Sequence, residues 1–208
     1  MTAIEAEALR VSSLMSSRLC HDLAGVVGAI SAGLEMSEDE DPEMASHAKQ
    51  VVTESTDKAL AIVKLARLAY GSSGGFEGDL DMNEAREAAK GFFAHAEAEL
   101  VWDLEEYAVP KWQGRAMLNV LIVMERAVPR SPSTVRLSRV NGHLTASATG
   151  KKVKAKDPLL GAFSGQSDDL EPKEMPAYLA YLLAQSGGAR FDTHFVLDEE
   201  LTVTLVAD

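Results

Sequence analysis

The apolar residues in the first third of the chain recur at helical spacing on two long segments. The segment 2–36 carries them near the 3.6-residue period of an α-helix, at Val11, Met15, Leu19, Val26, Ile30 and Leu34. The segment 42–70 repeats small and aliphatic residues at the same spacing, and it begins with Pro42, a residue favoured in a first helical turn. The pattern therefore predicts a hairpin of two long helices.

The residues between these helices predict a solvated turn. Four acidic residues, Glu38 to Asp41, precede Pro42, and a block of like charge that ends in proline does not continue a helix. Two helices of this length cannot bury both apolar stripes against each other alone. We therefore expect two copies of the chain to associate as a homodimer with a four-helix bundle.

After a stretch rich in glycine and serine at 71–75, the sequence pattern changes from two long helical segments to alternating helices and strands. We place the domain boundary there, with the helical hairpin at 1–72 and a second domain at 79–208. Periodicity predicts helices at 81–97, 112–127 and 175–185, and strands at 99–104, 135–140, 144–148, 189–197 and 201–206. Asn141-Gly142 joins two of these strands and is a strong hairpin signal. The predicted fold class is α+β, with a helical hairpin followed by an α/β sandwich of mainly antiparallel strands.

Composition narrows the class of protein. The 208 residues carry a net charge of −12, which excludes a general binder of the nucleic-acid backbone and disfavours an anionic membrane as partner. The single cysteine, Cys20, excludes an internal disulfide framework. No uninterrupted run of about eighteen apolar residues is present, and Glu5 and Glu7 stand where a signal peptide has basic residues. We expect a cytoplasmic protein.

The candidate chemistry lies on the first helix, around His21. At about 100° per residue, the face that carries His21 is otherwise made of one cation and small residues; they are Ser17, Arg18, Ala24, Gly25 and Gly28. Glycine inside a helix costs about 1 kcal/mol relative to alanine, so close approach by another molecule is one physical reason for Gly25 and Gly28.

The residue types around His21 suit phosphoryl transfer. A neutral imidazole attacks an activated phosphorus centre, Arg18 is placed to neutralise a phosphoryl oxygen, and Asp22 is placed to fix the ring tautomer. The spacing by itself is a weak signal, because a surface histidine beside an aspartate is most often an ordinary polar residue on a helix.

The stretch from Ser17 to Met36, SRLCHDLAGVVGAISAGLEM, resembles the signature of the ChpT-like histidine phosphotransferases of alphaproteobacteria. More distantly, His21-Asp22-Leu23 resembles the motif of sensor histidine kinases in which the phospho-accepting histidine precedes an acid and a leucine. The later elements resemble, in their order, the ATP-binding domain of those kinases. The proline that commonly follows the histidine is absent, and Ala24 to Val27 stand in its place.

The second domain departs from a working kinase domain where ATP and magnesium would bind. The helix that resembles the asparagine box reads MLNVLIVMER, so Ile122, Val123 and Met124 replace polar residues and Asn119 lies about one turn too early. The expected glycine-rich nucleotide box reads ATGKKVKAKDPLLG. We interpret its lysines as an exposed loop or, alternatively, a partner contact; they are Lys151, Lys152, Lys154 and Lys156. The domain is expected to have no ATP site.

The resemblance implies a phosphorelay histidine phosphotransferase with His21 as phospho-acceptor at its outer ring nitrogen. The phosphoryl group would come from the receiver aspartate of a hybrid kinase and pass to response regulators. No cofactor of this chain is implied, because Mg²⁺ comes with the receiver domain. Two alternatives stay open: an ATP-dependent histidine kinase, and a non-catalytic dimeric adaptor with His21 inert.

Overall fold

The computed structural model describes residues 2–38, 41–71, 77–168 and 170–207. Its chain separates into two compact units, Met1–Ala66 and Arg67–Asp208, which we treat in turn. The second unit thus includes the last residues of the second helix. Most of the glycine- and serine-rich stretch and the centre of the acidic run, Asp39 and Glu40, lie outside the described residues.

The first unit begins with helix α1, Ala3–Met36, which confirms the predicted first helix. Its start is fixed by a capping box. The Thr2 hydroxyl accepts a hydrogen bond from the Glu5 amide at 3.2 Å, and the Glu5 carboxylate accepts one from the Thr2 amide at 2.7 Å. At the other end, the Ser37 amide donates to the carbonyl of Gly33 at 3.0 Å.

Helix α2, Pro42–Tyr70, follows as predicted, and the Asp41 side chain accepts a hydrogen bond from the Glu43 amide at 2.9 Å. The two helices approach closely at Gly33. A Cβ atom at this position would lie 2.8 Å from Cγ2 of Val52 and 3.2 Å from the Ala48 carbonyl oxygen. Glycine is therefore needed at residue 33 because the second helix occupies the space of a side chain.

One stretch of α1, Glu5–Met36, is long and apolar enough to cross a membrane by length and composition alone, with a mean hydropathy of 1.2 over 18 residues. The earlier expectation, drawn from the absence of an uninterrupted apolar run, did not identify it. Only 11% of that window is buried, and the stretch contains the ionisable residues Arg18, His21 and Asp22. The buried core helix of a soluble protein and a signal sequence near the N-terminus both pass the same test, so one such helix is weak evidence for a membrane span.

The second unit is built on a five-stranded sheet and a two-stranded ribbon. Its strands are β1 (Asp79–Asp81), β2 (Ala98–Asp103), β3 (Ala108–Pro110), β4 (Ser133–Val140), β5 (His143–Gly150), β6 (Ala189–Val196) and β7 (Glu200–Ala207). The sheet has the order β2-β4-β5-β7-β6, and the ribbon pairs β1 with β3. Every pair is antiparallel except β2 with β4.

Helices cover one face of this sheet and confirm the α+β fold. They are α3 (Met82–Phe93), α4 (Lys111–Ala127), α5 (Asp157–Ala162) and α6 (Met175–Ser186). Helix α4 is buried along most of its length and supplies several of the largest fully buried side chains, among them Met117, Leu121 and Met124. These pack against alternate residues of the sheet, as expected for a strand with one buried face.

The structure differs from the predicted elements in its short segments. Helix α3 ends at Phe93 rather than at residue 97, because the chain turns there so that Ala98 is buried at the start of β2. The parallel pairing of β2 with β4 and the short elements β1, β3 and α5 were not predicted. The Asn141-Gly142 hairpin is confirmed, with φ of 50° and 84°, values typical of a two-residue hairpin turn.

Two glycines of α1 provide a matched test of this packing. We expect Gly28→Ala to raise the free energy of unfolding by about 1 kcal/mol, because a Cβ there meets nothing within 4 Å. Gly33→Ala should be less stable than Gly28→Ala by about 1–3 kcal/mol, because the methyl group displaces Val52 and the backbone of Ala48. Urea unfolding followed by circular dichroism measures both, and equal stabilities would contradict the close helix approach.

Candidate functional site

His21 stands on the exposed side of α1, with 74% of its side chain accessible. Its Nδ1 atom lies 3.4 Å from Oδ1 of Asp22, the next residue along the helix. Within the described part of the chain, no hydrogen bond is formed by the other ring nitrogen, Nε2. The arrangement leaves Nε2 as the ring atom open to an incoming group.

Asp22 also binds Arg18. The guanidinium Nε donates to Oδ2 of Asp22 at 2.6 Å, a contact between residues four apart on the helix. Arg18 is only 2% exposed, whereas Asp22 retains 18% of its side-chain surface. The two oxygens of one carboxylate therefore face two partners, Arg18 and the imidazole of His21.

The burial of Arg18 changes the role expected from its position on the helix. The sequence placed it on the His21 face as a cation for a phosphoryl oxygen. In the structure its Nε is directed at Asp22 and little of its surface is accessible. Arg18 is therefore placed to hold Asp22, and Asp22 is placed to hold His21.

The small residues predicted around His21 lie at the surface. Ser17, Ala24, Gly25 and Gly28 are all exposed. An added Cβ at Gly25 or Gly28 would meet no atom within 4 Å, in contrast to Gly33 on the same helix. Packing inside the described chain therefore gives no reason for glycine at these two positions.

In the second unit, the asparagine of the kinase-like segment has a structural role. Asn119 is fully buried, and its side-chain nitrogen donates to the carbonyls of Ala69 at 3.2 Å and Arg115 at 2.9 Å. Arg115 donates to the carbonyls of Ala69 and Tyr70 as well. The bonds to Ala69 and Tyr70 satisfy carbonyls at the end of α2, which have no partner within that helix.

The neighbouring positions on α4 are apolar and buried. Ile122, Val123 and Met124 are at most 4% exposed. Among the described residues, no three histidine, cysteine, aspartate or glutamate side chains come together as a metal-binding group. The side chains that the sequence placed at the magnesium box thus belong to the hydrophobic core.

Comparison with known proteins identifies the class. Residues 82–196, more than half of the chain, match the family described as histidine phosphotransferase C-terminal domain. The chain therefore belongs to the histidine phosphotransferase family, whose members act in two-component relays with kinases and response regulators.

Individual relatives agree with this class. The chain is 27% identical to the protein phosphotransferase ChpT of Brucella abortus (strain 2308), over 92% of this chain and 93% of the relative. A solved structure of a bacterial phosphotransferase superposes with a TM-score of 0.82 at 25% identity, covering 99% of this chain and 98% of that one. A more distant solved structure is that of the histidine kinase ThkA in complex with the response regulator TrrA. It shares the fold, with a TM-score of 0.50 and 13% identity, and the match covers 97% of this chain and 63% of that one.

The shared carboxylate generates a test of how Arg18 acts. We expect Arg18→Ala and Asp22→Ala each to slow phosphoryl transfer, and the double variant to be no slower than Asp22→Ala, because Arg18 works through Asp22. Rapid-quench measurement of transfer from a phosphorylated receiver domain gives the three rates. Losses that add on a logarithmic scale would show that Arg18 acts on the phosphoryl group independently of Asp22.

Proposed function

We propose that His21 carries the phosphoryl group in this histidine phosphotransferase. The observation that supports this most is the exposed imidazole with Nδ1 facing Asp22 and Nε2 unobstructed. A proton on Nδ1 directed at the carboxylate keeps the lone pair on Nε2, which is the nucleophilic form of the ring.

The reaction is a displacement at phosphorus. The Nε2 lone pair attacks the phosphorus of an aspartyl phosphate on the receiver domain of a hybrid kinase, and the bond to the aspartyl oxygen breaks as the N–P bond forms. The aspartate leaves as a carboxylate. In the second half of the relay, an aspartate oxygen of a response regulator attacks the same phosphorus and the imidazole leaves.

Asp22 and Arg18 are positioning residues in this mechanism. Asp22 stabilises the positive charge that develops on the ring as the N–P bond forms, and the Arg18 guanidinium holds that carboxylate in its orientation. Ser17, Ala24, Gly25 and Gly28 form the docking face, which lets the receiver backbone approach the helix closely.

We propose that the first unit acts as a homodimer with a four-helix bundle. Six large apolar side chains of α1 and α2 are between 39% and 60% exposed in the single chain; they are Leu9, Val27, Leu34, Met44, Leu60 and Val63. A second copy that covers such residues removes apolar surface from water, at about 25 cal/mol per Å². An isologous helix–helix interface is the common solution for such hairpins.

We further propose that the protein does not use ATP and works in the cytoplasm without a cofactor of its own. Buried Ile122, Val123 and Met124 provide no oxygen ligands for a metal–nucleotide complex, and Asn119 is engaged with backbone carbonyls. Mg²⁺ bound in the receiver domain's acidic pocket would supply the charge stabilisation of the transferred group.

The acceptor is tested by replacing the histidine. We expect His21→Gln to abolish labelling by a phosphorylated receiver domain, because glutamine has no nucleophilic ring nitrogen. His47→Gln, at an exposed histidine of α2, is the matched control and should be labelled as the wild type is. Both are followed by transfer of ³²P on a gel, with dimer formation checked by light scattering.

The same assay separates the alternative functions. Equal labelling of wild type and His21→Gln would contradict the proposed acceptor. Labelling of the wild type by ATP and magnesium alone would establish an ATP-dependent histidine kinase. Absence of any labelling of a correctly formed dimer would establish an adaptor.

The docking face is tested by adding bulk at a glycine. We expect Gly28→Leu to slow transfer from the receiver domain by at least about tenfold, because the leucine side chain blocks close approach of the receiver domain. The helix itself should not be weakened, because leucine favours the helical conformation more than glycine does. Labelling of His21 by phosphoramidate, a small donor that needs no docking face, should be unchanged. Equal slowing with both donors would place the effect in the chemistry or the fold instead.

A further inference from the structure

The face of α1 around His21 offers little positive charge to an incoming phosphoryl group. The nearest cation on the helix, Arg18, is only 2% exposed, and its Nε donates to Asp22 at 2.6 Å. The remaining neighbours on this face are uncharged; they are Ser17, Ala24, Gly25 and Gly28. A phosphoryl group brings negative charge and three strong acceptor oxygens. A neutral hydrogen-bond donor beside His21 is therefore the group of this face that can receive it.

Ser17 stands one helical turn before His21. Residues four apart are neighbours on a helix surface, with Cβ atoms about 5–6 Å from each other. The Cα–Cβ bond of a helical residue tilts toward the N-terminus, so the side chain of His21 starts over the turn that carries Ser17 and Arg18. Because Arg18 is buried and bound to Asp22, the exposed polar group of that turn is the Ser17 hydroxyl.

The Ser17 hydroxyl differs from those of two nearby serines in having its proton available. Ser16 donates to the carbonyl of Ser12 at 2.8 Å, and Ser12 donates to the carbonyl of Ala8 at the same distance. In the described ranges of the chain, the side chain of Ser17 forms no hydrogen bond, and it is exposed. Its proton can therefore be donated to an acceptor that arrives from outside the chain.

Other donors of α1 near His21 are less well placed. Ser13 lies eight residues before the histidine, roughly 12 Å along the helix axis at 1.5 Å per residue. Ser16 lies about 140° around the helix from His21. Cys20 is exposed but lies about 100° around the helix, and a thiol is a weak donor. Ser17, only about 40° from His21, has the most suitable position and chemistry.

We propose that the Ser17 hydroxyl donates a hydrogen bond to an oxygen of the phosphoryl group as it joins Nε2 of His21. The inference rests on the proposed function, since it requires His21 as the acceptor. No covalent bond of Ser17 forms or breaks, and its proton stays on Oγ. The bond is charge-assisted, because the acceptor oxygen is anionic. Ser17 is thus a catalytic residue that contacts the transferred group, whereas Gly25 and Gly28 act by leaving space.

The rate of labelling by phosphoramidate separates this hydrogen bond from docking. A serine that only contacted the receiver domain would not affect this small donor, which needs no docking face. We expect Ser17→Ala to lower the second-order rate constant for phosphorylation of His21 by about fivefold, because one hydrogen bond to the transferred group is lost. Ser17→Thr keeps a hydroxyl and should stay within about twofold of the wild type. Mass spectrometry of the intact protein at neutral pH follows the labelling.

Ser13→Ala is the matched control, because it removes the same atoms from an exposed position of the same helix. It should be labelled at the wild-type rate. Equal rates for the wild type and Ser17→Ala would overturn the inference and leave His21 as acceptor. Equal slowing by Ser13→Ala, or a threonine variant as slow as the alanine variant, would also overturn it. Failure of phosphoramidate to label His21 in the wild type would instead contradict the proposed acceptor, and with it the role of Ser17.

Discussion

The carboxylate of Asp22 is the group on which the arrangement of the site depends. One oxygen accepts from Arg18 at 2.6 Å, and the other faces the imidazole of His21 at 3.4 Å. A carboxylate that is tied to a buried guanidinium has little freedom to rotate, so it presents a fixed acceptor to the ring. The exposed imidazole, which would otherwise sample several rotamers, gains a preferred tautomer.

Glycine serves two different purposes on helix α1, namely packing against α2 and exposure of the helix surface. At Gly33 the absence of a side chain lets α2 approach, and a Cβ would meet Val52 at 2.8 Å. At Gly25 and Gly28 the space beyond the backbone is open. Gly33 therefore allows the two helices of the hairpin to pack closely, whereas Gly25 and Gly28 leave the surface beside His21 without side chains.

Long periodic segments made most of the fold predictable from the sequence. Both hairpin helices and the Asn141-Gly142 turn were predicted because their signals are local: period, capping residues and a dipeptide with positive φ. The parallel pairing of β2 with β4 was missed because strand direction depends on contacts across more than thirty residues. Elements as short as β1 and β3 carry too few residues for any period to show.

The placement of the candidate site residues was predictable in part. Angular position on a helix located His21 and its small neighbours, but it does not measure depth, and so it left Arg18 on the surface. Lys151, Lys152, Lys154 and Lys156 are all exposed, which agrees with their interpretation as an exposed loop.

The position of the phosphoryl group is the most direct measurement of the mechanism. The dimer is phosphorylated by a receiver domain, digested under neutral conditions and analysed by tandem mass spectrometry, and the intact protein is examined by ¹⁵N–¹H NMR of its imidazole rings. The arrangement of Asp22 and His21 predicts a single phosphohistidine at His21, bonded through Nε2. A phosphoryl group on another histidine, or on Nδ1 of His21, would contradict it.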